Sequence, residues 1–142
     1  MIYHRPIQIE FNHCDPAGIV FFPRFYEMVS SVCENFHKDV AGYPYATMMA
    51  ARQGVPTVRM ETDFHAPARL GDVLDFRLEV TRLGRSSITL KVTAWTDHNR
   101  LTVHMTQAFV QGLKAVSWPP EVRARIEAFM TPVTPRSNSG TS

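Results

Sequence analysis

The chain has 142 residues, of which 44% are hydrophobic and 20% are charged. That length fits one domain, which buries roughly two thirds of the surface exposed by its unfolded form. The net charge is only +2, and no basic stripe with interleaved aromatic residues suggests nucleic-acid binding. Residues 1–11 lack a signal-peptide pattern, and no apolar run reaches the roughly 18 residues of a membrane span. We therefore expect a cytoplasmic protein without a membrane span.

The cysteines and histidines give no sign of a disulfide framework or a metal site. Cys14 and Cys33 are the two cysteines of the chain, and their spacing matches no redox or zinc pattern. The six histidines also lack a metal-ligand spacing such as His-Glu-x-x-His. The sequence predicts two free thiols and no bound metal.

The first predicted elements are a strand and a tight loop. Apolar and polar side chains alternate over residues 7–11, which predicts a strand with one buried face. Pro16 and Gly18 are strong turn residues. The chain is therefore expected to turn sharply here before it returns to the core.

A long helix is predicted to follow this loop. Pro23 suits the first helical position, where its missing N–H would have no partner. Apolar residues recur at three- and four-residue spacing from residue 24 to about residue 41, as in an amphipathic helix. Gly42 and Pro44 are expected to end that helix. A shorter helix is predicted over residues 45–53.

The second half of the chain changes to a period of two. Four strands are predicted, over residues 58–64, 74–80, 88–94 and 101–110. Turn residues separate them, so we expect antiparallel neighbours joined by hairpins. One strand, a long helix and then antiparallel strands form an α+β order, in which a curved sheet wraps around the helix.

The end of the chain is expected to hold a short helix and a tail. A short helix is predicted over residues 121–130, after two consecutive prolines. Residues 131–142 are rich in Thr, Pro, Ser, Asn and Gly, which is typical of a disordered tail. The sequence thus predicts a single domain over residues 1–130.

The loop before the long helix carries the clearest candidate for chemistry. Asp15 precedes the predicted N-terminus, where amides without intrahelical partners carry the positive end of the helix dipole. The amides expected to be free are those of Val20, Phe21, Phe22, Arg24 and Phe25. A carboxylate beside such donors is the pair that acyl transfer needs. Alternatively, Asp15 is only a turn or capping residue, the commoner role of an Asp before Pro.

Residues 15–22 read Asp-Pro-Ala-Gly-Ile-Val-Phe-Phe and are followed by Pro23. This run resembles the active-site loop of the 4-hydroxybenzoyl-CoA thioesterase family, and a weaker likeness covers residues 7–110. The resemblance implies the hotdog fold and hydrolysis of an aromatic, 4-hydroxybenzoyl-like acyl-CoA to the free acid and coenzyme A, without a cofactor. It also implies a homodimer at least, often a homotetramer, with sites shared between subunits.

The resemblance assigns roles within the loop. Asp15 is implied to be a nucleophile or a general base, and the Phe22 backbone N–H to be the oxyanion donor. His13 is interpreted as a polar loop residue, with contact to the substrate or orientation of Asp15 as the alternative, and other family members vary at this position. Cys14 is the rival nucleophile, since a thiolate attacks more readily than a carboxylate. However, neighbours on an extended segment point in opposite directions, so Cys14 is expected to be a packed residue.

The turn at residues 84–87 is the expected coenzyme A contact, because the corresponding turn of similar proteins lies near the coenzyme A phosphates. The Arg85 guanidinium with the hydroxyls of Ser86 and Ser87 suits phosphate oxygens. The family's best-known members carry a further basic residue where Ser86 stands here. Phosphate binding is therefore expected either to be weaker here or to be supplied by Arg82, Lys91 or Arg100. The alternative is a solvated hairpin with no ligand.

Thr57 and Arg59 begin the strand that, in the family, approaches the site from the facing subunit. The alternative is that both residues are ordinary polar residues that face outward.

Two other functions stay open at this point. A non-catalytic acyl-CoA-binding or scaffold protein would need Asp15 only for the loop, and a dehydratase or isomerase could use the same fold.

Overall fold

The computed structural model describes residues 1–131, so the predicted tail lies outside it apart from its first residue. The helices of this part of the chain are α1 (Pro23–Asp39), α2 (Tyr45–Ala50) and α3 (Pro120–Met130), with a short 3-10 helix at Phe11–His13. The longer strands are β1 (Tyr3–Gln8), β3 (Thr57–Phe64), β4 (Val73–Leu83), β5 (Ser87–Trp95) and β6 (Asn99–Ala108). Three two-residue strands are β2 (Gln53–Gly54), β7 (Val110–Gln111) and β8 (Lys114–Ala115). No helix within residues 1–131 is long and apolar enough to cross a membrane.

The five longer strands form one antiparallel sheet in the order β1-β4-β5-β6-β3. β4, β5 and β6 are neighbours joined by hairpins, as the sequence predicts. β3 pairs with β6, with Thr57 opposite Gln107 and Phe64 opposite Leu101, and not with β4. The expected hairpin over residues 67–72 is therefore wrong: this connection crosses the sheet, and β3 becomes its edge strand.

The first strand begins earlier than its alternation predicts. β1 ends at Gln8, Ile9 is fully buried, and Phe11 is 83% exposed in the 3-10 helix. The cause is local, since the Glu10 N–H donates to His13 Nδ1 at 2.9 Å and closes a capping box. The predicted burial of Phe11 is therefore wrong.

The core lies between α1 and the concave face of the sheet. The helix buries a stripe that includes Phe25, Val29, Val32 and Phe36. The facing sheet residues are apolar at every second position and almost fully buried; they include Leu74, Phe76, Leu78, Ile88, Leu90, Val92, Leu101, Val103 and Met105. The sheet wraps around one long helix, and the prediction of an α+β fold of this kind is confirmed.

The helix ends follow the sequence only in part. α1 begins at Pro23, as predicted, and ends at Asp39. Gly42 follows with a φ of +69°, a conformation that glycine adopts at little cost. α2 ends at Ala50 and not near residue 53, because the chain turns at Arg52, which has a φ of +56°.

Candidate active site

The loop that contains Asp15 is a small hairpin. The Asp15 N–H donates to the Ile19 carbonyl at 3.0 Å, and the Phe21 N–H donates to the His13 carbonyl at 2.9 Å. At its tip the Gly18 N–H bonds the Asp15 carbonyl at 3.0 Å, and Gly18 has a φ of +77°. The hairpin runs directly into α1, so its geometry is tied to the start of that helix.

The segment after β3 holds the hairpin in place. The Val20 N–H donates to the carbonyl of fully buried Ala68 at 2.9 Å. The Leu70 N–H donates to the Gly18 carbonyl at 3.0 Å. The residues expected to form a turn between two strands therefore anchor the loop instead.

The Asp15 carboxylate is half-buried and has one oxygen in use. Its Oδ1 accepts a hydrogen bond from the Ala17 N–H at 2.9 Å, the geometry of an Asx turn. Among residues 1–131 the second oxygen, Oδ2, has no hydrogen-bond partner. One oxygen thus fixes the side chain, and the other is available to a bound molecule.

Four of the five amides expected to be free are hydrogen-bonded. Val20 and Phe21 donate within or beside the hairpin, while Arg24 donates to the Phe21 carbonyl at 2.8 Å and Phe25 to the Phe22 carbonyl at 3.1 Å. The expectation of five free donors is therefore wrong. Within the described chain the Phe22 N–H is the one member of this set without a partner. It lies at the N-cap position of α1.

His13 and Cys14 are engaged with Glu10, not with Asp15. His13 Nδ1 accepts from the Glu10 N–H, and Cys14 Sγ lies 3.6 Å from the Glu10 carbonyl oxygen. Cys14 also packs against the core. In the described residues His13 has no hydrogen bond to Asp15, so an orienting role is not seen; its contact with substrate stays a prediction.

An apolar cavity of about 330 Å³ lies beside the free amide. Its walls include Val20, Phe22, Phe25, Phe64, His65 and Pro67. The Phe22 and Phe64 rings meet edge to face with centroids 6.0 Å apart. The end of β3 at Phe64 therefore covers the start of α1.

A second cavity of about 230 Å³ lies further along α1, beneath the beginning of β3. Its walls include Tyr26, Ser30, Cys33, Thr57, Met60 and Gln107. Because residues three and four apart share a helix face, the two cavities follow one stripe of α1. Burial raises the pKa of the Cys33 thiol to about 12, so the thiol stays protonated; it lines the cavity but does not act as a nucleophile.

The turn at residues 84–87 is well ordered by hydrogen bonds. The Gly84 N–H donates to the Ser87 carbonyl at 2.8 Å, and the Ser86 carbonyl accepts from the Phe109 N–H at 2.8 Å. Arg85 is exposed, and its Nη1 donates to Ser117 Oγ at 2.7 Å. The turn thus presents a guanidinium on a fixed backbone.

The predicted site residues fall into two groups at opposite ends of the sheet. Ser87 lies opposite Ala108, and the Ala108 N–H donates to the Pro56 carbonyl, so the turn lies near the Thr57 end of β3. The Asp15 hairpin lies at the other end, near Phe64. The eight residues of β3 separate the two ends by roughly 23 Å. Within one chain the structure does not bring Arg85, Thr57 or Arg59 to Asp15.

Two polar residues of the second cavity region were missed from the sequence. His37 and Gln107 are both buried and lie 70 positions apart, yet His37 Nε2 is 2.9 Å from Gln107 Oε1. The sequence does contain a signal for Gln107, because this polar residue occupies an inward position of the alternation, between Met105 and Phe109. No group of three His, Cys, Asp or Glu side chains in residues 1–131 could hold a metal ion.

A curved antiparallel sheet around one long helix, with a carboxylate hairpin leading into that helix, is a hotdog fold. A 1,4-dihydroxy-2-naphthoyl-CoA thioesterase from Synechocystis has a similar structure, with a TM-score of 0.83 and 18% sequence identity. The match covers 93% of this chain and 100% of that chain. At this identity the similarity establishes the fold alone.

The sequence comparisons add the family. The family described as Thioesterase superfamily matches residues 37–103. The 1,4-dihydroxy-2-naphthoyl-CoA hydrolase of Crocosphaera subtropica is 29% identical over 128 residues, which cover 88% of this chain and 87% of the relative. The 4-hydroxybenzoyl-CoA thioesterase of Pseudomonas sp. strain CBS-3 is 30% identical over 82 residues, 56% of this chain and 58% of the relative. Residues 37–103 of the chain are therefore similar to the thioesterase superfamily.

Proposed function

We propose that the protein hydrolyses an acyl-CoA thioester, with Asp15 as the catalytic carboxylate and the Phe22 N–H as the oxyanion donor. The similarity to the thioesterase superfamily supports the class of reaction. The observation that carries the assignment is a pair of groups on one hairpin that have no partner within residues 1–131: a carboxylate oxygen at its tip and the amide where it enters α1. Both groups are held by backbone hydrogen bonds, which is the preorganisation that this chemistry requires.

The reaction follows from these two groups. The thioester carbonyl oxygen accepts from the Phe22 N–H at the positive end of the α1 dipole, where negative charge develops as the carbonyl carbon is attacked. One such donor contributes on the order of 100- to 1000-fold in rate. Asp15 either attacks the carbonyl carbon, expelling the thiolate and leaving a mixed anhydride that water cleaves, or removes a proton from an attacking water. Neither route uses a cofactor.

The acyl group is proposed to be aromatic and to resemble 4-hydroxybenzoyl. When two copies pair their β3 edges around a two-fold axis, the cavity of about 230 Å³ at the Thr57 end of one copy lies on the side of the Phe22 N–H of the other. That volume is below the roughly 300–1,000 Å³ of sites for drug-sized ligands, which favours a single ring. The names of two relatives, a 1,4-dihydroxy-2-naphthoyl-CoA hydrolase and a 4-hydroxybenzoyl-CoA thioesterase, are also those of aryl-CoA enzymes.

The complete site is proposed to need two copies of the chain. β3 is an edge strand whose side chains are nearly all exposed, including Val58 at 62% and Phe64 at 49%. Antiparallel pairing of two such edges around a two-fold axis would put the Thr57 end of one copy beside the Asp15 hairpin of the other. That arrangement brings together the two groups of site residues that one chain separates. A homodimer is thus the minimum assembly, and two dimers would form the homotetramer that the family resemblance implies.

Coenzyme A would then lie between the copies. Arg85, with Ser86 and Ser87, is proposed to hold its phosphates, and Thr57 and Arg59 of the same copy to line the approach.

Cys14 and Cys33 are both free thiols, which supports the expected cytoplasmic location.

The test is release of free thiol from a panel of aryl-, phenylacetyl- and fatty acyl-CoA substrates. We expect Asp15→Asn to lower kcat by about 1000-fold, because the variant keeps the turn but loses the nucleophile or base. Cys14→Ala is the matched control and should stay within about threefold of the wild type. A single turnover in ¹⁸O-labelled water then separates the routes, since label in the Asp15 carboxylate supports the anhydride. Full activity of Asp15→Asn would contradict the assignment.

A second candidate function is binding of acyl-CoA without hydrolysis. The specific observation in its favour is the Asx turn, in which Asp15 Oδ1 already serves the Ala17 N–H. This function predicts that the wild type binds acyl-CoA but releases no thiol from any member of the panel.

A further inference from the structure

Gln107 is a buried amide at the floor of the second cavity. It lies on β6, is 2% exposed, and faces the cavity beside Thr57 and Tyr45. A buried side-chain amide has two donors and one acceptor, so its orientation decides what it offers to a ligand. The neighbour that sets this orientation is His37.

His37 is fully buried on α1 and is packed between aromatic rings. Its ring lies 6.3 Å from that of Trp118 in a stacked arrangement, and Nε2 is 2.9 Å from Gln107 Oε1. Its Nδ1 has no hydrogen-bond partner in the described chain. Burial lowers the pKa of His37 to about 4, so the ring is neutral at physiological pH and carries one N–H.

The position of that proton follows from the unpartnered nitrogen. A proton on Nδ1 would leave a buried N–H donor without an acceptor, and orphaned buried N–H groups are rarer than unpaired acceptors. A proton on Nε2 is instead donated to Gln107 Oε1. The Gln107 oxygen is therefore turned toward His37, and its NH₂ group is directed toward the Tyr45 hydroxyl and the cavity.

The rest of the cavity wall extends this donor surface. Burial raises the pKa of Tyr45, so its hydroxyl keeps its proton and can donate. Ser30 and Thr57 add hydroxyls that can donate or accept. None of the described residues that line the cavity is Asp, Glu, Lys or Arg. Such a wall suits a neutral oxygen and neither a carboxylate nor an ammonium group.

We propose that Gln107 determines acyl specificity by donating a hydrogen bond to a neutral ring oxygen, such as a phenolic hydroxyl, at the far end of an acyl group whose thioester carbonyl lies at the Phe22 N–H of the second copy. His37 is its positioning residue and acts only through the Gln107 oxygen. This inference rests on the proposed function for the location of the acyl group. It goes further by naming the chemical feature that the cavity selects and the two residues that select it.

The test measures binding with two coenzyme A thioethers that cannot be hydrolysed, 4-hydroxybenzyl-CoA and benzyl-CoA, by calorimetry. The wild type is expected to prefer the hydroxylated thioether by roughly tenfold, the gain from one buried hydrogen bond. Gln107→Met keeps the length of the side chain but has no donor, and should remove the preference while benzyl-CoA binding stays within about threefold. Thr93→Val, a buried change on β5 outside the cavity, is the control and should retain the preference.

His37 is tested by two substitutions with opposite expectations. His37→Phe frees the Gln107 amide to rotate and should remove most of the preference. His37→Gln restores a donor near the Nε2 position and should keep it, which a purely structural role would not require. Equal binding of the two thioethers by the wild type, or an unchanged preference in Gln107→Met, would overturn the inference whatever the activity. If the wild type hydrolyses no thioester but still prefers the hydroxylated thioether, the proposed function fails and this inference stands.

Discussion

The two ends of β3 hold their polar groups in opposite ways. At the Phe64 end, a carboxylate oxygen of Asp15 and the Phe22 N–H have no partner among the described residues. At the Thr57 end, Gln107 and His37 are fully buried and already bonded to each other. Groups that react with a substrate must be left unpaired until it arrives, whereas a recognition group gains from being oriented beforehand. In the proposed function, one chain thus carries a reactive end at Asp15 and a recognition end at Gln107.

Separating the two copies of the proposed homodimer should lower activity most, because the reactive end of one copy would no longer lie beside the recognition end of the other. Val58→Asp places a charge on the exposed edge of β3 and should give a monomer with at least 100-fold lower thioesterase activity, because each site would lose the coenzyme A turn of the other copy. Light scattering and specific activity measure the two effects. Leu113→Asp, at a fully exposed apolar residue away from β3, should change neither. A monomer with full activity would show that one chain is sufficient.

Acid should destabilise the fold through His37, at the recognition end. The pKa of His37 is about 4 in the folded protein against about 6.5 when unfolded, so between these values only the unfolded chain binds the proton. The free energy of unfolding should therefore fall by about 3 kcal/mol from pH 7 to pH 4 through this residue. Urea unfolding at both pH values measures it. His37→Gln should flatten the dependence by that amount, whereas the exposed His104→Asn should leave it unchanged.

The smallest expected effect concerns Arg85. Arg85→Ala should raise KM for an acyl-CoA by about tenfold with little change in kcat, because a phosphate contact contributes equally to ground-state and transition-state binding. The same acyl group on pantetheine, which lacks the nucleotide phosphates, should be unaffected. The exposed Lys114→Ala is the control. Equal losses on both substrates would place Arg85 outside phosphate recognition.

Much of the fold could be predicted because it depends on local patterns. Pro23 and the spacing of apolar residues gave the start and face of α1, and period-two alternation located β4, β5 and β6. The pairing of β3 with β6 could not be predicted in this way, since alternation shows which face of a strand is buried but not which strand lies beside it. Phe11 was misjudged because a capping box interrupts the alternation at Glu10.

Fewer residues of the candidate site could be predicted, because most of its contacts join residues that are distant in the sequence. Asp15 was found through a contiguous motif. Which amide lacks a partner could not be predicted, because this depends on hydrogen bonds formed in the folded chain. The carbonyls of His13, Phe21 and Ala68 accept hydrogen bonds from other amides near the start of α1. His37 and Gln107 come together only through the fold. No sequence pattern indicates that His37 Nδ1 lacks a hydrogen-bond partner within the described residues.

The open edge of β3 also has a consequence for the newly made protein. Its free backbone groups and exposed apolar side chains can accept an extended segment of another chain, and in the proposed homodimer that segment is β3 of a second copy. Correct assembly therefore competes with misassembly in proportion to how quickly two folded copies meet. A folded copy whose β3 edge is unpaired therefore presents a surface prone to aggregation, which pairing in the proposed homodimer would cover.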